Sequence, residues 1–351
     1  MPIVSRLSPR SAEEIEAGQR GLAVVQMLTG HWVAQIVRTA AELRVMDHVA
    51  DGAQTADAVA GLEHSDPKAT YRLMRACASL GLLATTGGGM FTVTPTGQLL
   101  RGGVPGSLRE MALVQNAHGH WRSWELLPEA VRAGRHQVGA ALGVDDMWGY
   151  FAQHPDEGAL FAAAMSNMTG LVTEDIVRGL DLDGATSVLD VGGANGALVL
   201  RLMQAHPEIT GQVFDLPHTA DGARKAAADA GLAGRFTAVG GDFFADPLPT
   251  ADYYLLKWVL HDWDDEKCVR LLRNVRAGAA TGSRMLVVDA VVGEPGRPDA
   301  AALIDISMLV GTDGQERDLA ELDALFAASG WTRVAATPIT PPQFMIEVEA
   351  I

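Results

Sequence analysis

The decapeptide KWVLHDWDDE, residues 257–266, places a histidine and several carboxylates directly after an apolar run. His261 is followed by Asp262, Asp264 and Asp265. Three interpretations follow from these residue types. The aspartates can cap the next helix, because carboxylates accept hydrogen bonds from the free N–H groups at a helix start. Carboxylates that leave a strand together can instead bind Mg²⁺. The imidazole can act as a general base, because its ordinary pKa near 6.5 suits neutral pH.

The pattern around the decapeptide predicts its place in the fold. From about residue 181, short apolar strands alternate with helices, which is typical of a parallel sheet covered on both faces. The predicted strands are SVLDVGG, GQVFDL, RFTAVGGDFF, DYYLLKWVL and RMLVVDAVV, with a final pair WTRVAATPI and FMIEVEA. Ligands bind beyond the carboxyl ends of strands in such sheets, and His261 stands at one of these ends. The crowded aspartates fit a helix start better than a metal site, because no second oxygen-rich cluster is evident.

The loop after the first strand, LDVGGANG, contains Gly192, Gly193 and Gly196. Glycine lets the backbone turn sharply and approach a ligand where a side chain would collide. Asp215 ends the second strand, where a carboxylate can bind both hydroxyls of a ribose. The dinucleotide spacing G-x-G-x-x-G is absent, so the pattern favours a nucleoside ligand that lacks a diphosphate. S-adenosylmethionine fits this description.

Two further loops supply candidate residues. In GGDFF, after the third strand, Asp242 can bind an adenine amino group and Phe243 can lie against the ring. Alone, these two residues would be an ordinary turn and a core side chain, but they align with the other loops. A methyl transfer to oxygen needs a base, and a basic imidazole needs an acceptor on its other nitrogen. Asp289, after the fifth strand, and Glu316, in GTDGQERD, are candidates for that acceptor.

The first half of the chain, residues 12–180, has a mostly helical pattern. Residues 21–50 are apolar on much of the predicted helix circumference, which favours burial against a second chain over burial in the chain's own core. Three short helices and a β-ribbon between residues 40 and 100 resemble a winged helix, with Thr55 and Asp66 as helix caps. Lys68, Arg72 and Arg75 on its third helix raise the possibility of DNA binding, but a structural or dimerising role is preferred.

The bulk composition narrows the class of protein. A length of 351 residues suits two domains, and 48% hydrophobic with 20% charged residues is an ordinary globular balance. The formal charge of −16 disfavours nucleic acid and anionic membranes as partners. No apolar run reaches the roughly 18–20 residues of a bilayer span, and the first residues lack the apolar stretch of a secretory signal. The lone Cys77 and Cys268 predict a reducing cytoplasm without a disulfide framework or zinc site.

Taken as an ordered set, LDVGGANG, FDLPH, GGDFF, LLKWVLHDWDDE and DGQERD resemble the S-adenosylmethionine-dependent small-molecule O-methyltransferases. This family contains plant phenylpropanoid and flavonoid enzymes and bacterial natural-product tailoring enzymes. The resemblance extends over nearly the whole chain. It implies a doubly wound, Rossmann-like class I methyltransferase sheet in residues 176–351. It also implies a helical dimerisation domain in residues 1–175, with a winged-helix-like part at about 40–100.

The resemblance also implies the site residues. His261 becomes the base, positioned by Asp289 and Glu316, and no metal is required. The cofactor-binding residues would be Gly192, Gly193, Gly196, Asp215, Gly241, Asp242, Phe243 and Lys257. The apolar walls of the acceptor site would be Trp148, Phe151, Phe161, Met165, Met168, Trp258 and Met308. The chain departs from the family at two places. Ala194 and Asn195 stand where a third glycine is common, and position 289 is Asp where plant relatives carry Glu, so Glu316 is the safer partner.

The expected function is methylation of a phenolic hydroxyl on an aromatic natural product. The family also suggests a homodimer in which the partner's N-terminal residues close the acceptor site, with no nucleic acid or membrane involved. Three alternatives stay open at this point. One is the same fold with diverged chemistry, such as hydroxylation or decarboxylation. The second is a winged-helix DNA-binding regulator that senses a metabolite. The third, a dehydrogenase, lacks its glycine spacing.

Overall fold

The structure, a computed structural model, describes residues 12–351 without the side chains of residues 12–15, 17 and 218. The expectations about a signal segment and about N-terminal closure of a partner's acceptor site involve residues 1–11 and lie outside the described residues. The chain divides into two compact units, one ending at Asn116 and one running from Ala117 to Ile351. The domain boundary after residue 175 stays a prediction.

The first unit is helical apart from one hairpin. Its described elements are α1 (Ala12–Leu28), α2 (Gly30–Glu42), α3 (Val45–Ala50), α4 (Ala56–Glu63), α5 (Pro67–Ser79), β1 (Leu83–Gly87), β2 (Met90–Val93), α6 (Pro95–Gln98) and α7 (Arg109–Val114). The apolar segment 21–50 is therefore not one helix. It breaks at Thr29 and again at Arg44, whose φ of 44° lies in the left-handed region.

Many large apolar side chains of α1 and α2 are exposed in this chain. Their exposed fractions run from 45% for Val33 to 78% for Met27. Among the described side chains of the two helices, these residues are Leu22, Val24, Val25, Met27, Leu28, Trp32 and Val33. So many exposed large apolar side chains on two consecutive helices usually mark an interaction site, because they stay in contact with water otherwise.

The segment from α3 to β2 has the element order expected for the winged-helix-like part. Thr55 caps α4 by accepting a hydrogen bond from the backbone N–H of Ala58. Asp66 caps α5 in the same way, and Pro67 occupies its first turn, as the sequence predicts. Strands β1 and β2 pair in antiparallel fashion around the glycine turn.

The second unit begins with helices that precede the sheet. These are α8 (His118–Glu125), α9 (Leu127–Ala133), α10 (Val138–Leu142), α11 (Met147–Gln153) and α12 (Pro155–Gly179). None of the helices in residues 12–351 is both long and apolar enough to cross a membrane.

The sheet and its crossover helices follow. The elements are β3 (Ser187–Val191), α13 (Ala197–Ala205), β4 (Thr210–Asp215), α14 (Pro217–Asp229), β5 (Phe236–Gly240), β6 (Tyr253–Lys257), α15 (Asp265–Gly278), β7 (Arg284–Ala290), α16 (Ala300–Gly311), α17 (Leu319–Ser329), β8 (Trp331–Pro338) and β9 (Gln343–Ala350). Short 3₁₀ turns lie at Ala233–Arg235 and Leu260–Asp262. The predicted strands are confirmed.

The strand order is β5-β4-β3-β6-β7-β9-β8. The pairs from β5 to β7 are parallel, whereas β9 pairs antiparallel with both β7 and β8. The chain leaves β3 toward β4 on one side and returns to β6 on the other, so the order reverses between β3 and β6. Such a switch point opens a crevice at the carboxyl ends of the strands, where ligands bind in this class of sheet.

Both faces of the sheet are buried. Along β3 and β6, Val188 and Leu255 belong to one apolar cluster, whereas their neighbours Leu189 and Leu256 belong to the cluster on the opposite face. Successive side chains of a strand point to opposite faces, so a strand that is covered twice needs an unbroken apolar run. This constraint explains why SVLDV and YYLLK lack polar alternation.

Candidate active site

Three loops converge at the switch point. Gly192, in the loop after β3, has a φ of 73°, which favours glycine. A Cβ atom at this position would lie 3.0 Å from a methyl group of Val259, after β6, and 3.8 Å from the ring of Phe243, after β5. The backbone of the glycine loop therefore packs directly against the two other loops that the sequence assigns to the site.

Asp215 ties the loop after β4 to the glycine loop. Its carboxylate accepts hydrogen bonds from the backbone N–H groups of Ala194, at 2.8 Å, and Leu216, at 2.6 Å. Ala194 has a φ of 48°, in the left-handed region. This backbone conformation gives a physical reason for the glycine that is common in the family here, because a side chain strains it.

A buried charge pair lies beneath the glycine loop. Burial raises the pKa of Asp190 well above its ordinary value, and burial lowers the pKa of Lys257. The charge of each group partly counteracts the pKa shift of the other, because opposite charges stabilise one another. A Cβ at Gly193 would lie 2.5 Å from the carboxyl carbon of Asp190, so only glycine fits above this carboxylate. Asp190 is not among the residues predicted for the site, although an acidic residue inside an apolar strand is a visible signal.

The residues of the GGDFF loop differ in their burial and in their contacts. A Cβ at Gly241 would lie 2.5 Å from the ring of Phe214, so this glycine is required for packing. Asp242 is exposed, and its carboxylate accepts a hydrogen bond from the backbone N–H of Phe244. The ring of Phe243 is partly buried and meets that of Trp263 edge-on, with 6.1 Å between centroids.

His261 lies in the 3₁₀ turn that follows β6, and its side chain is 16% exposed. Its Nδ1 atom is 2.7 Å from a carboxylate oxygen of Glu316, whose side chain is only 1% exposed. Its Nε2 atom is 3.8 Å from a carboxylate oxygen of Asp262. The structure thus brings His261 and Glu316 into a direct hydrogen bond, which orients the ring.

The charges around the imidazole reverse the effect of its burial. Burial alone would lower the pKa of His261, but the carboxylates of Asp262, Glu316 and Asp289 raise it to about 10. The expectation that this histidine keeps a pKa near 6.5 is therefore wrong, because several negative charges surround it. Burial is also the main reason that the pKa of Asp262 rises to about 6 and that of Asp289 rises well above its ordinary value.

The aspartates of the decapeptide divide into two groups. Asp264 caps α15 by accepting a hydrogen bond from the backbone N–H of Lys267, and Asp265 lies in its first turn, as the capping interpretation predicts. For Asp262 that interpretation is wrong, because it belongs to the 3₁₀ turn and lies beside His261. Asp289 is 3% exposed, and its Oδ1 atom has no hydrogen-bond partner among the described residues. Within residues 12–351, no group of three His, Cys, Asp or Glu side chains is arranged to hold a metal.

The seven residues expected to line the acceptor site are all partly buried, neither in the core nor fully exposed. The aromatic ones on α11 and α12 form a cluster, with ring centroids 5.9 Å apart for Trp148 and Phe161 and 4.9 Å apart for Phe151 and Phe161. Met165 and Met168 follow on α12, and Met308 lies on α16. Trp258 donates a hydrogen bond to Gln343, and the ammonium group of Lys257 lies 3.7 Å from its ring centroid.

His120 joins this aromatic cluster, and the sequence analysis missed it. Its ring stacks on Phe161 with 6.2 Å between centroids. Burial lowers the pKa of His120, so the ring favours its neutral form. Its Nδ1 atom is buried without a hydrogen-bond partner in the described part of the chain, which is uncommon for a buried polar atom. No spacing pattern in NAHGHWRSW distinguishes this histidine from its neighbour His118.

Comparisons with known proteins agree with this geometry. Residues 124–332 match the profile of the O-methyltransferase domain, and residues 25–102 match that of the O-methyltransferase dimerisation domain. The chain is 34% identical to the phenazine O-methyltransferase PhzM of Lysobacter antibioticus, over 93% of this chain and 96% of that protein.

Two solved structures extend the comparison. The structure of human N-acetylserotonin methyltransferase in complex with S-adenosylmethionine superimposes with a TM-score of 0.87 at 28% identity, covering 98% of this chain and 99% of that one. NcsB1, an O-methyltransferase from neocarzinostatin biosynthesis, was solved with S-adenosylmethionine and 2-hydroxy-5-methyl naphthoic acid. It matches with a TM-score of 0.76 at 34% identity, covering 91% of this chain and 96% of that one.

The fold is that of a class I methyltransferase with a helical dimerisation domain. The chain belongs to the O-methyltransferase family and is an S-adenosylmethionine-dependent enzyme. The residues at the switch point fit this cofactor. Gly192 and Gly193 have no room for a side chain, so the loop presents bare backbone, and the carboxylate of Asp215, which binds the same loop, can accept hydrogen bonds from a ribose.

The strained Ala194 allows a test of the loop geometry. Replacing Ala194 with glycine should raise the free energy of unfolding by about 0.5–1 kcal/mol, because glycine adopts the left-handed region without steric strain. Urea unfolding of the purified enzyme measures the change. Ala226→Gly, in the last turn of α14, is the matched control and should lower the free energy of unfolding by up to about 1 kcal/mol. Equal destabilisation by both substitutions would contradict the assigned loop conformation.

Proposed function

We propose that this enzyme transfers a methyl group from S-adenosylmethionine to a phenolic hydroxyl of an aromatic natural product, with His261 as the general base. The observation that carries the proposal is the 2.7 Å hydrogen bond between Nδ1 of His261 and the buried carboxylate of Glu316. Because Glu316 accepts at Nδ1, the neutral imidazole keeps its proton there. The lone pair of Nε2 is then available to accept a proton.

The surrounding charges suit this task. A phenol has an ordinary pKa near 10, by analogy with tyrosine, and an imidazole whose pKa is raised to about 10 can accept its proton without a large energetic cost. The imidazolium that results is stabilised by Glu316, by Asp262 and by the charge of Asp289. When bound, S-adenosylmethionine supplies a methyl group on a sulfonium centre that is open to attack by oxygen.

The same charges also make it harder for His261 to act as a base at neutral pH. At neutral pH an imidazole with so high a pKa holds its proton, and a base must be neutral to act. A second positive charge held nearby would lower the pKa again, because like charges disfavour each other's charged form. The acidic switch point beside His261 suits such a cation, so cofactor binding and readiness of the base would be linked.

The cofactor-binding roles rest on the convergence of the loops. We assign the methionine part to the glycine loop, the ribose to Asp215 and the adenine to Asp242 and Phe243, with Lys257 and Gly241 completing the site. Support comes from the Ala194–Asp215 hydrogen bond and from the close packing of Gly192 on Phe243 and Val259. All of these residues lie in the second compact unit and within the proposed catalytic domain of residues 176–351.

The acceptor class rests on the aromatic cluster of α11 and α12. The rings are partly buried, stacked for Phe151 and Phe161 and edge-on for Trp148 and Phe161. They offer flat apolar surface, which favours an aromatic ring over an aliphatic alcohol. Two relatives support this choice, since one is named for phenazine and another was solved with a naphthoic acid. His120 adds a neutral imidazole whose free nitrogen can bind a polar substituent of the acceptor.

The base needs no metal in this proposal. Asp264 is engaged as a helix cap, and Asp265 binds the buried guanidinium of Arg317, so both carboxylates already have partners within the protein. Two free, buried cysteines, whose thiol pKa values are raised by burial, fit the reducing cytoplasm as the site of action.

We also propose a homodimer formed through the exposed apolar side chains of α1 and α2. This surface lies partly within the matched dimerisation domain, residues 25–102, and a second copy would remove it from water.

The base assignment is tested by His261→Ala. Turnover should fall by about 10²–10⁴-fold, the usual contribution of general base catalysis, while calorimetric affinity for S-adenosylmethionine is preserved. His206→Ala, at the end of α13 and therefore at the amino edge of the sheet, is the control and should keep full activity. Undiminished methylation by the His261 variant, measured with a labelled methyl group, would show that the base lies elsewhere.

The charge cluster makes the rate dependent on pH. Because the raised pKa keeps His261 protonated at neutral pH, the rate should increase as the pH rises from 6 toward alkaline values. Glu316→Gln removes a negative charge that raises this pKa, so the acidic limb of the pH–rate profile should move to lower pH by about 1–3 units. The exposed Glu349→Gln should leave the limb in place. An unmoved limb in the Glu316 variant would contradict the assigned charge coupling.

The dimer surface is tested by Trp32→Glu. A charge at this 61% exposed indole should weaken self-association by about 30-fold or more, as for a central interface residue that contributes about 2 kcal/mol. Sedimentation equilibrium measures the change. Val334→Glu, on β8, introduces the same charge at a 47% exposed apolar residue and should leave association unchanged. Equal effects of the two substitutions would place the interface elsewhere.

A further inference from the structure

Arg317 is the most completely buried arginine of the second unit, with 2% of its surface exposed. Its guanidinium donates hydrogen bonds to the carboxylate of Asp265, from Nε at 3.0 Å and from Nη2 at 2.8 Å. It also donates to three backbone carbonyls, those of Leu260 at 3.1 Å, Gln315 at 3.3 Å and Trp263 at 2.8 Å. A buried guanidinium needs such partners, because an unpaired one would be strongly destabilising.

Two of these carbonyls bracket His261 in the chain. Leu260 immediately precedes it, and Trp263 follows two residues later, so both ends of the turn are attached to one rigid, planar group. A backbone that is fixed on both sides of a residue restricts where its side chain can point. Arg317 thereby acts on the position of the ring without touching it.

The neighbours of Arg317 hold the same turn. Glu316 binds the Nδ1 atom of His261, and its backbone N–H donates to Asp305 at 3.0 Å. The backbone of Gly314 packs so closely on the turn that a Cβ there would collide with the carbonyl oxygen of His261. Residues 314–317 therefore contact the turn three times within four positions: through bare backbone, through a carboxylate on the ring and through a guanidinium on the carbonyls.

We propose that Arg317 is a positioning residue for the reaction, which fixes the turn carrying His261 so that the Glu316 hydrogen bond and the direction of Nε2 are set together. The inference rests on the proposed role of His261 as base. A misplacement of about 1 Å in a reacting group can lower a rate by about 10²-fold, so a clamp on the backbone is a large contribution to catalysis. A lysine cannot replace it fully, because one ammonium group cannot reach two carbonyls and a carboxylate in the same planar arrangement.

A purely structural role would make a different prediction. The bond to Asp265 also joins Arg317 to the first turn of α15, and an arginine that only anchors this helix would affect stability without affecting the imidazole. The two roles are separated by a property of the ring itself. The Nδ1 proton in the bond to Glu316 gives a downfield proton resonance that reports the geometry of that bond.

The experiment compares Arg317→Lys, Arg317→Gln and the wild-type enzyme, with ¹⁵N-labelled histidine and with steady-state kinetics. His261→Ala identifies the resonance of the Nδ1 proton. We expect Arg317→Gln to lower kcat by about 10²-fold, with KM for the acceptor within about threefold, and to shift or abolish the resonance. Arg317→Lys should recover part of the lost kcat and part of the wild-type resonance. The control is Arg276→Gln, whose side chain also binds two backbone carbonyls, those of Ala279 and Ile351, and it should change neither.

The inference would be overturned if Arg317→Gln folds and keeps the kcat and the resonance of the wild-type enzyme. It would also be overturned if Arg317→Gln changes only KM and leaves the resonance in place. The third contradicting result is an equal loss of kcat in Arg276→Gln. If the glutamine variant does not fold, the lysine variant decides by the same criteria. If neither Arg317 variant folds, Asp265→Asn decides, because it weakens the contact between the guanidinium of Arg317 and its exposed partner Asp265. The resonance is read without turnover, so an active His261→Ala would refute the base assignment alone, whereas an unmoved resonance refutes the role of Arg317.

Discussion

The hydrogen bond between His261 and Glu316 is the interaction on which the account of this enzyme depends. It joins a partly buried imidazole to a carboxylate that is almost fully withdrawn from water. Such a pair is costly to bury unless geometry and charge are both satisfied. Asp262 and Asp289 lie near the same ring, and with Glu316 they outweigh the effect of burial on its pKa. The result is a histidine that binds its proton far more strongly than a free imidazole, which is useful for an acceptor as weakly acidic as a phenol.

The sheet explains how this pair can exist. The parallel strands β3 and β6 lie side by side at the switch point, so the glycine loop and the turn carrying His261 emerge from the same edge. Close packing across that edge requires bare backbone at Gly192 and Gly193. Residues 314–317 of the same chain pack on the turn that carries His261 from another direction. Chemistry in this enzyme therefore depends on backbone packing as much as on the side chains that carry it.

Much of this arrangement could be predicted from the sequence, because the relevant signals are local. Apolar runs bounded by glycine, proline and acidic residues indicate the strands of the sheet, and Asp66 before Pro67 indicates a helix start. The loops after the strands follow from the order of the elements. Asp215, at the end of β4, was found in this way, and the structure links its carboxylate to the glycine loop.

Other features depend on contacts between distant residues and carry no local signal. The raised pKa of His261 arises from carboxylates that are up to 55 positions away, so a reference value for histidine was misleading. Asp262 was assigned to capping because its sequence neighbours cap, yet its backbone belongs to a different turn. His120 and Arg317 look like ordinary polar residues until the fold buries them.

The most direct measurement is a crystal structure of the enzyme with S-adenosylhomocysteine and a phenolic acceptor, since this demethylated cofactor has no methyl group to transfer and leaves the acceptor oxygen unmethylated. The account predicts that the acceptor oxygen lies within about 3.2 Å of Nε2 of His261 while Nδ1 stays bonded to Glu316. An acceptor oxygen that binds on another side of the pocket, with the imidazole turned toward the protein interior, would contradict it.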